Sequence, residues 1–344
     1  VGLSSFKQKD SFLKVMGIHL AGSNTHKTAL VRGGVVLKQI RAPMIPGPSF
    51  DIFSNEINRK IPGLPVVPFE LGMLSEKKSQ TSPLFWEAFS ADIGASSQTD
   101  SDSRLVEAIK DLGGADVFCI DAPLSLPPCL TCSIECKNAE KCVNPIVSIM
   151  NEEWKRLRKS DKKSRMPQPY LDRYFEFHAR NNFHIHSLNG GFELEAVLGS
   201  GRAPLTSRAI YTARQIERLF PKAIVIETNS SLSELGWAAQ VGYPLAAALE
   251  LRHGNESKIK RAGLLKRLEQ KLYATRHAGM HADLFVDLAT HLETFHAAMG
   301  ALMAWGFLNG EYYFLDEFLT LEKGLPLRGW ACVPKDVLGH GWSQ

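Results

Sequence analysis

The chain has no run of about 18 uninterrupted apolar residues, the least a helix needs to cross a bilayer, so no membrane span or membrane partner is expected. Its first residues, VGLSSFKQKDSFLK, hold no apolar stretch of signal-peptide type, which predicts a cytoplasmic chain. There is no internal repeat and no low-complexity tract. An excess of one charge is also lacking. The 40 basic and 36 acidic residues leave a formal net charge of +4, which permits a nucleic-acid partner and does not demand one. Cysteine is sparse outside one segment. Of the six, Cys119 and Cys332 stand alone in apolar surroundings and read as buried small hydrophobes. The other four crowd between positions 129 and 142. A secreted, disulfide-bonded chain spreads its cysteines, so the crowding speaks for a metal site in a reducing compartment.

What is present is ordinary for a globular protein: 344 residues, 44% hydrophobic and 22% charged, enough to bury a core without disulfide staples. KVMGIHL reads as a short buried strand with His19 at its mouth. KTALVRGGVVLKQIRA reads as two strands around a Gly33-Gly34 hairpin turn. The proline-rich stretch 43–83 has no clear period and predicts an irregular connection, with a short helix around FDIFSNEINRKI. SRLVEAIKDLGG carries Leu105, Ala108, Ile109 and Leu112 on one stripe and ends at Gly113, a helix with its stop. VFCI is a buried strand with Asp121 at its carboxyl end, and KAIVIETNSS another with Glu227 at its carboxyl end. LTSRAIYTARQIERLF, with a Thr or Ser cap, predicts a helix. Further helices are expected from SLSELGWAAQVG, from KIKRAGLLKRLEQKLYA and over HADLFVDLATHLETFHAAMGALMAWGFLNG, and RGWACVP closes as a short strand. A hairpin start followed by strand–helix alternation predicts an α/β fold with a mixed sheet, whose sites collect at strand carboxyl ends. One domain is expected over 14–334, interrupted by an insertion at 127–203.

Five stretches, GIHLAG, IDAPLSLP, VIETNSS, HAAMGALMAW and RGWACVP, occur in this order, IDAPLSLP being the most specific. Together they resemble the family called domain of unknown function 429, regarded as predicted nucleases of ribonuclease H-like fold. The resemblance covers residues 14–128 and 203–334 and covers the cysteine-bearing insertion poorly. It implies a mixed sheet of ribonuclease H type flanked by helices, and an acidic cluster that holds divalent metal. Carried over position by position, the four family carboxylates fall on His19, Asp121, Glu227 and His296. The family has Asp where this chain has His19 and His296.

That exchange changes the metal chemistry. Magnesium prefers carboxylates and water. Two imidazoles with two carboxylates suit zinc, manganese or iron. His19, Asp121, Glu227 and His296 are therefore the candidate catalytic ligands of a softer metal, or else the two histidines mark a site that has lost its activity. ETFH places Glu293 and His296 at i and i+3 on one helix face, a metal-ligand spacing that adds Glu293 to the set. His277, His281 and His291 read as surface residues, and Asp283 and Asp287 as solvated or capping ones.

CLTCSIECKNAEKC gives Cys129, Cys132, Cys136 and Cys142 the spacing Cys-x2-Cys-x3-Cys-x5-Cys. Four thiolates this close can close a tetrahedral structural zinc site, or hold an iron–sulfur cluster, with two disulfides or unbound thiols as the bland alternative. His178, His184 and His186 follow later as weaker ligand candidates. The segment from Glu152 to Glu176 carries Lys155, Arg156, Arg158, Lys159, Lys162, Lys163 and Arg165 among the aromatics Trp154, Tyr170 and Tyr174. Such a run is either a solvated face or a surface that neutralises phosphates and stacks on bases. Arg208 and Arg214 lie on the helix before Glu227, where they face an anionic substrate or serve as surface ion pairs. Three functions are open at this point: a metal-dependent phosphodiester hydrolase, a non-catalytic nucleic-acid or protein binding module with a degenerate site, and an iron–sulfur or metal-sensing protein.

Overall fold

The structure, a computed structural model, describes residues 12–21, 28–36, 84–95, 99–133, 138–160, 164–182, 194, 196–199, 202–254, 256–273, 282–313 and 331–334. Strands β1 (Phe12–His19), β2 (Thr28–Val36) and β3 (Leu84–Ile93) form an antiparallel meander. On its other edge β1 pairs in parallel with β4 (Val117–Ile120), which pairs in parallel with β5 (Ile224–Glu227). The spatial order is β3-β2-β1-β4-β5, a mixed sheet of five strands with helices around it, so the expected α/β class holds. The hairpin expected at Gly33-Gly34 does not form. A single strand runs through both glycines and pairs with β3, with a register irregularity between Arg32 and Gly33. A Cβ on Gly34 would stand 2.5 Å from Glu87 Oε1 of β3, so here the glycine makes room for a neighbouring side chain rather than a turn. The helix expected around FDIFSNEINRKI lies outside the described residues.

Helix α1 (Ser101–Asp111) starts on Asp100, whose side chain accepts from the Asp102 and Ser103 amides, and stops before Gly113 at φ +77°. The segment after β4 holds α2 (Pro128–Thr131), a 3-10 turn at Ala139–Lys141, α3 (Pro145–Ser160) and α4 (Tyr174–Asn182). Helix α5 (Arg202–Leu219) begins earlier than its Thr or Ser cap predicted. Thr206 is interior, and its hydroxyl donates to the Val197 carbonyl instead. Then come α6 (Ser230–Gln240), capped by Asn229, and α7 (Leu245–Leu249), α8 (Ser257–Tyr273), α9 (Ala282–Thr290) and α10 (Leu292–Leu308). A small ribbon of β6 (Tyr312–Tyr313) and β7 (Val333–Pro334) follows. Among the described residues, no helix is long and apolar enough to cross a membrane.

Side chains alternate across a strand, so each sheet face gathers its own core. Val15, Val117, Cys119 and Ile226 belong to the core on one face, with α6 and α10. Met16, Ile18, Phe118 and Ile120 belong to the other, with α1 and α5. Helix α10 is apolar nearly all round and nearly all buried, as such a helix must be. It comes so close to β1 that a Cβ on Gly17 would stand 1.9 Å from the Ala297 carbonyl oxygen and 2.2 Å from the Ala301 nitrogen. Cys119 and Cys332 are buried, as their apolar surroundings predict.

Candidate functional site

The same alternation decides which carboxylate meets which histidine. His19 and Asp121 continue the face of Val15, Cys119 and α10. The parallel register sets Ile18 beside Ile120, so the next residues are neighbours, His19 the last of β1 and Asp121 the first beyond β4. Their side chains touch, with His19 Nδ1 2.8 Å from Asp121 Oδ2. Helix α10 supplies the third group. Gly300 packs on Gly17, with its would-be Cβ 3.2 Å from the Gly17 Cα. His296 lies one helical turn back from Gly300, and His19 lies two strand residues on from Gly17. Both steps cover roughly 6 Å in the same direction. The two rings accordingly meet edge to face, 4.7 Å between centroids at 64°.

His19, Asp121 and His296 each bring one ligand atom within 4.8 Å of the others, and among the described residues they form the one such group of three. His19 Nδ1 and Asp121 Oδ2 share a proton here; a cation taking its place would hold two ligands roughly 3 Å apart, close to their present separation. The remaining Asp121 oxygen, Oδ1, accepts the Ser230 amide at the start of α6 at 2.7 Å. Burial alone would raise the Asp121 pKa. The hydrogen bond and charge of His19, with His296 and Arg252 nearby, outweigh it and hold the carboxyl well below the usual range.

His296 is buried, 5% exposed, and neither ring nitrogen makes a hydrogen bond. Nε2 is 3.0 Å from Glu234 Oε1, but the carboxylate lies off the line an N–H would take. Burial pushes the His296 pKa down to about 4, helped by the Arg252 and His19 charges and opposed by Glu234. A buried, neutral, unbonded imidazole is costly unless something takes its lone pair, and a cation does so.

Around these three runs a second tier. Glu234 is 3% exposed, and its oxygens accept from Arg252 Nε at 3.0 Å and Nη2 at 3.1 Å. Burial raises the Glu234 pKa, but Arg252 and His296 outweigh it and bring it down to about 2. Arg252 Nη2 also donates to Ser230 Oγ at 2.7 Å. The chain of contacts therefore runs from His19 through Asp121, Ser230, Arg252 and Glu234 to His296.

Glu227 stands apart. It pairs in register with Ile120, on the face opposite Asp121. Both of its oxygens accept from Arg173, at 2.6 Å and 2.5 Å, and Oε2 also accepts the Leu124 amide at 2.7 Å. The same guanidinium reaches Glu176 and Ser125. Burial works against the Arg173 cation. Its two carboxylates more than offset this, and its pKa lies above the ordinary arginine value. Glu293, half-buried in the first turn of α10, is not among the three converging groups. His291 caps α10 and is exposed.

In the segment after β4, Cys129 lies within α2, Cys132 caps its end and Cys142 follows the 3-10 turn, all half-buried. No disulfide joins the described cysteines. Cys136, Lys162, Lys163, His184, His186, His277 and His281 lie outside the described residues. Lys155, Arg156, Arg158 and Lys159 are exposed on α3, and Arg165 is exposed beyond it. Of the three aromatics expected to stack on bases, Tyr170 is 52% exposed, while Tyr174 is buried among Glu153 and His178. The Trp154 ring lies under the Arg158 guanidinium, 5.1 Å from its centroid. His178 is 2.9 Å from Glu153 through Nδ1 and lies outside the candidate centre. Arg208 pairs with Asp102 and donates to the Ala21 carbonyl at 2.9 Å, two residues beyond His19.

Comparison with known protein families, with curated proteins and with solved structures finds no match.

Ser230 and Glu234 had a legible signal, since i and i+4 on a helix right after the Glu227 strand put two polar groups on one face. Arg252 and Arg173 had none. They reach partners 18 and 54 residues away, which only the folded chain brings together.

Proposed function

We propose that this chain is a metal-dependent phosphodiester hydrolase of ribonuclease H-like fold, acting on nucleic acid, with one cation held by His19, Asp121 and His296. The observation that carries the reading is the buried, unbonded His296 imidazole beside the His19–Asp121 pair. The strand order, a meander feeding two parallel strands, supports the ribonuclease H-like part and with it the likeness to domain of unknown function 429. Two imidazoles and a carboxylate favour zinc, manganese or iron over magnesium. A divalent cation supplies Lewis acidity toward a phosphoryl oxygen and makes a water more acidic. Asp121 is oriented for a ligand's role by the Ser230 amide. His19, the most exposed of the three, is the group that meets solvent and substrate. Glu227 already has its counter-charge in Arg173, which argues for one cation rather than two. The cysteine segment is read as the seat of a separate structural metal, zinc before an iron–sulfur cluster, because its short helical turns have little core of their own, although Cys129, Cys132 and Cys142 do not converge as the three centre residues do.

Asp121→Asn keeps the side chain's shape and removes its charge. Cleavage of a single-stranded oligonucleotide with added zinc or manganese is expected to fall at least about 100-fold, measured where circular dichroism shows the variant folded. Full activity in that variant would sink the hydrolase reading. A second reading, a binding module with a silent site, is favoured by the Arg173 lock on Glu227 and by the exposed basic residues of α3. It predicts oligonucleotide affinity without turnover, unchanged in Asp121→Asn.

A further inference from the structure

Glu234 and Arg252 were absent from the sequence expectations, yet each is tied to the candidate centre by close contacts. Glu234 lies in the middle of α6 with its side chain 3% exposed, a costly place for a carboxylate. Arg252 answers its charge through two hydrogen bonds. That leaves the orientation of the pair to be explained. One Glu234 oxygen, Oε1, is 3.0 Å from His296 Nε2. Histidines that bind metal through one nitrogen commonly donate the other N–H to a carboxylate, which fixes both tautomer and ring angle. With Nε2 turned toward Glu234, Nδ1 is the nitrogen left for a cation. The off-line approach of the carboxylate means that a modest turn of the ring would complete the bond. Catalytic hydrogen bonds are commonly loose until a ligand draws them tight. Arg252 reaches the other side as well, through Ser230 Oγ, and the Ser230 amide holds Asp121. One guanidinium thus braces the residues behind two of the three ligands.

We propose that Glu234 is a positioning residue, held by Arg252, that orients His296 toward a divalent cation. The proposal rests on the metal-site reading above. Helix α6 would then serve the centre twice, its first amide fixing Asp121 and its Glu234, one turn on, fixing His296.

The test is cobalt and zinc binding to the full chain after treatment with chelator. Cobalt at a cysteine site shows a near-ultraviolet thiolate band and absorbs in the visible as well, so the titrations are made in a chain carrying Cys129→Ser and Cys132→Ser, where the visible band reports the nitrogen and oxygen ligands alone. That chain is expected to show the visible band. Glu234→Gln is expected to bind about 10- to 100-fold more weakly and, at saturating cobalt, to show a shifted band. A merely structural residue would not shift the band of the filled site. Glu234→Asp is expected to restore part of the affinity. Should Glu234→Gln fail to fold, Arg252→Gln is read instead. Its side chain is partly exposed, and it is expected to weaken and shift the cobalt signal in the same sense. Equal affinity and an unchanged band in these variants would overturn the positioning role and leave the metal site standing. Absence of any visible band in the chain with Glu234 and Arg252 intact would overturn the metal site and the positioning role together.

Discussion

His296 sits where burial costs an imidazole most in its charged form. Its folded pKa of about 4 lies below its ordinary 6.5. Between those values the unfolded chain takes up a proton that the folded chain refuses. The stability linked to His296 is therefore fully present above pH 6.5 and is lost as pH falls toward 4, up to about 3 kcal/mol in all. Glu234 continues the loss, from its ordinary 4.5 down to about 2, as its carboxylate is protonated. Urea midpoints measured in chelator from pH 7.5 to pH 4 are expected to fall steadily. In His296→Gln the part of that fall above pH 4.5 is expected to flatten, and an unchanged fall would place its cause elsewhere. The residue types at this centre were legible in sequence, because His19, Asp121 and His296 stand at strand ends and on the last long apolar helix. Glu227 was misplaced for a reason that the alternation of strand side chains could have supplied. Ile226 shares the face of Cys119, so the residue after it must point the other way. The Arg173 lock on that residue could not have been read, since nothing in the sequence near either partner announces the other.

At the scale of elements, the centre depends on how near α10 comes to β1. Gly17 and Gly300 let the backbones approach, and that approach sets the His19–His296 separation. A Cβ at Gly17 would strike main-chain atoms of α10, which cannot rotate away. Gly17→Ala is expected to cost about 3 kcal/mol or more and to lower metal affinity along with stability, because α10 must withdraw and carry His296 with it. Gly300→Ala is tight against the Gly17 Cα at 3.2 Å and in ordinary contact with the Cys119 carbonyl oxygen at 3.4 Å and the Ile18 nitrogen at 3.6 Å, which a small shift relieves, so a cost of about 1 kcal/mol is expected. Thermal melts and cobalt titrations of the two variants side by side would check this, and equal costs would mean that the close approach is not what holds the helix. The sequence showed α10 by its apolar run and β1, β4 and β5 by their short buried strands. It did not show β3, whose LFWEAFSADI lacks clean alternation. It read Gly33-Gly34 as a turn because a glycine pair that accommodates Glu87 across a sheet looks the same as one that bends a chain.

At the scale of the whole molecule, the nearly balanced charge means that nucleic-acid affinity, if the hydrolase reading is right, must come from where the positive charges sit. Lys155, Arg158 and Lys159 are spaced i, i+3 and i+4 on α3, with Arg156 beside them and all four exposed. Trp154 braces this group from below through Arg158, and Tyr170 is the aromatic free to stack on a base. The basic helix and the His19–Asp121–His296 cluster belong to parts of the chain that are linked physically. Arg173, at the head of α4, reaches across to Glu227 at the end of β5 and to Ser125 in the segment after β4. None of these partners is His19, Asp121 or His296, so docking and cleavage are expected to separate by mutation. Each phosphate neutralised on a single strand contributes about −0.7 to the slope of log affinity against log salt. Replacing Lys155, Arg156, Arg158 and Lys159 by glutamine is expected to make that slope shallower by up to about 3 for a labelled single-stranded oligonucleotide, measured by fluorescence anisotropy. Asp121→Asn, which changes the centre and not the helix, is expected to leave the slope where it was. A slope unmoved by the four glutamines would assign α3 to a merely solvated face. A slope moved by Asp121→Asn would instead place the phosphate backbone on the centre itself.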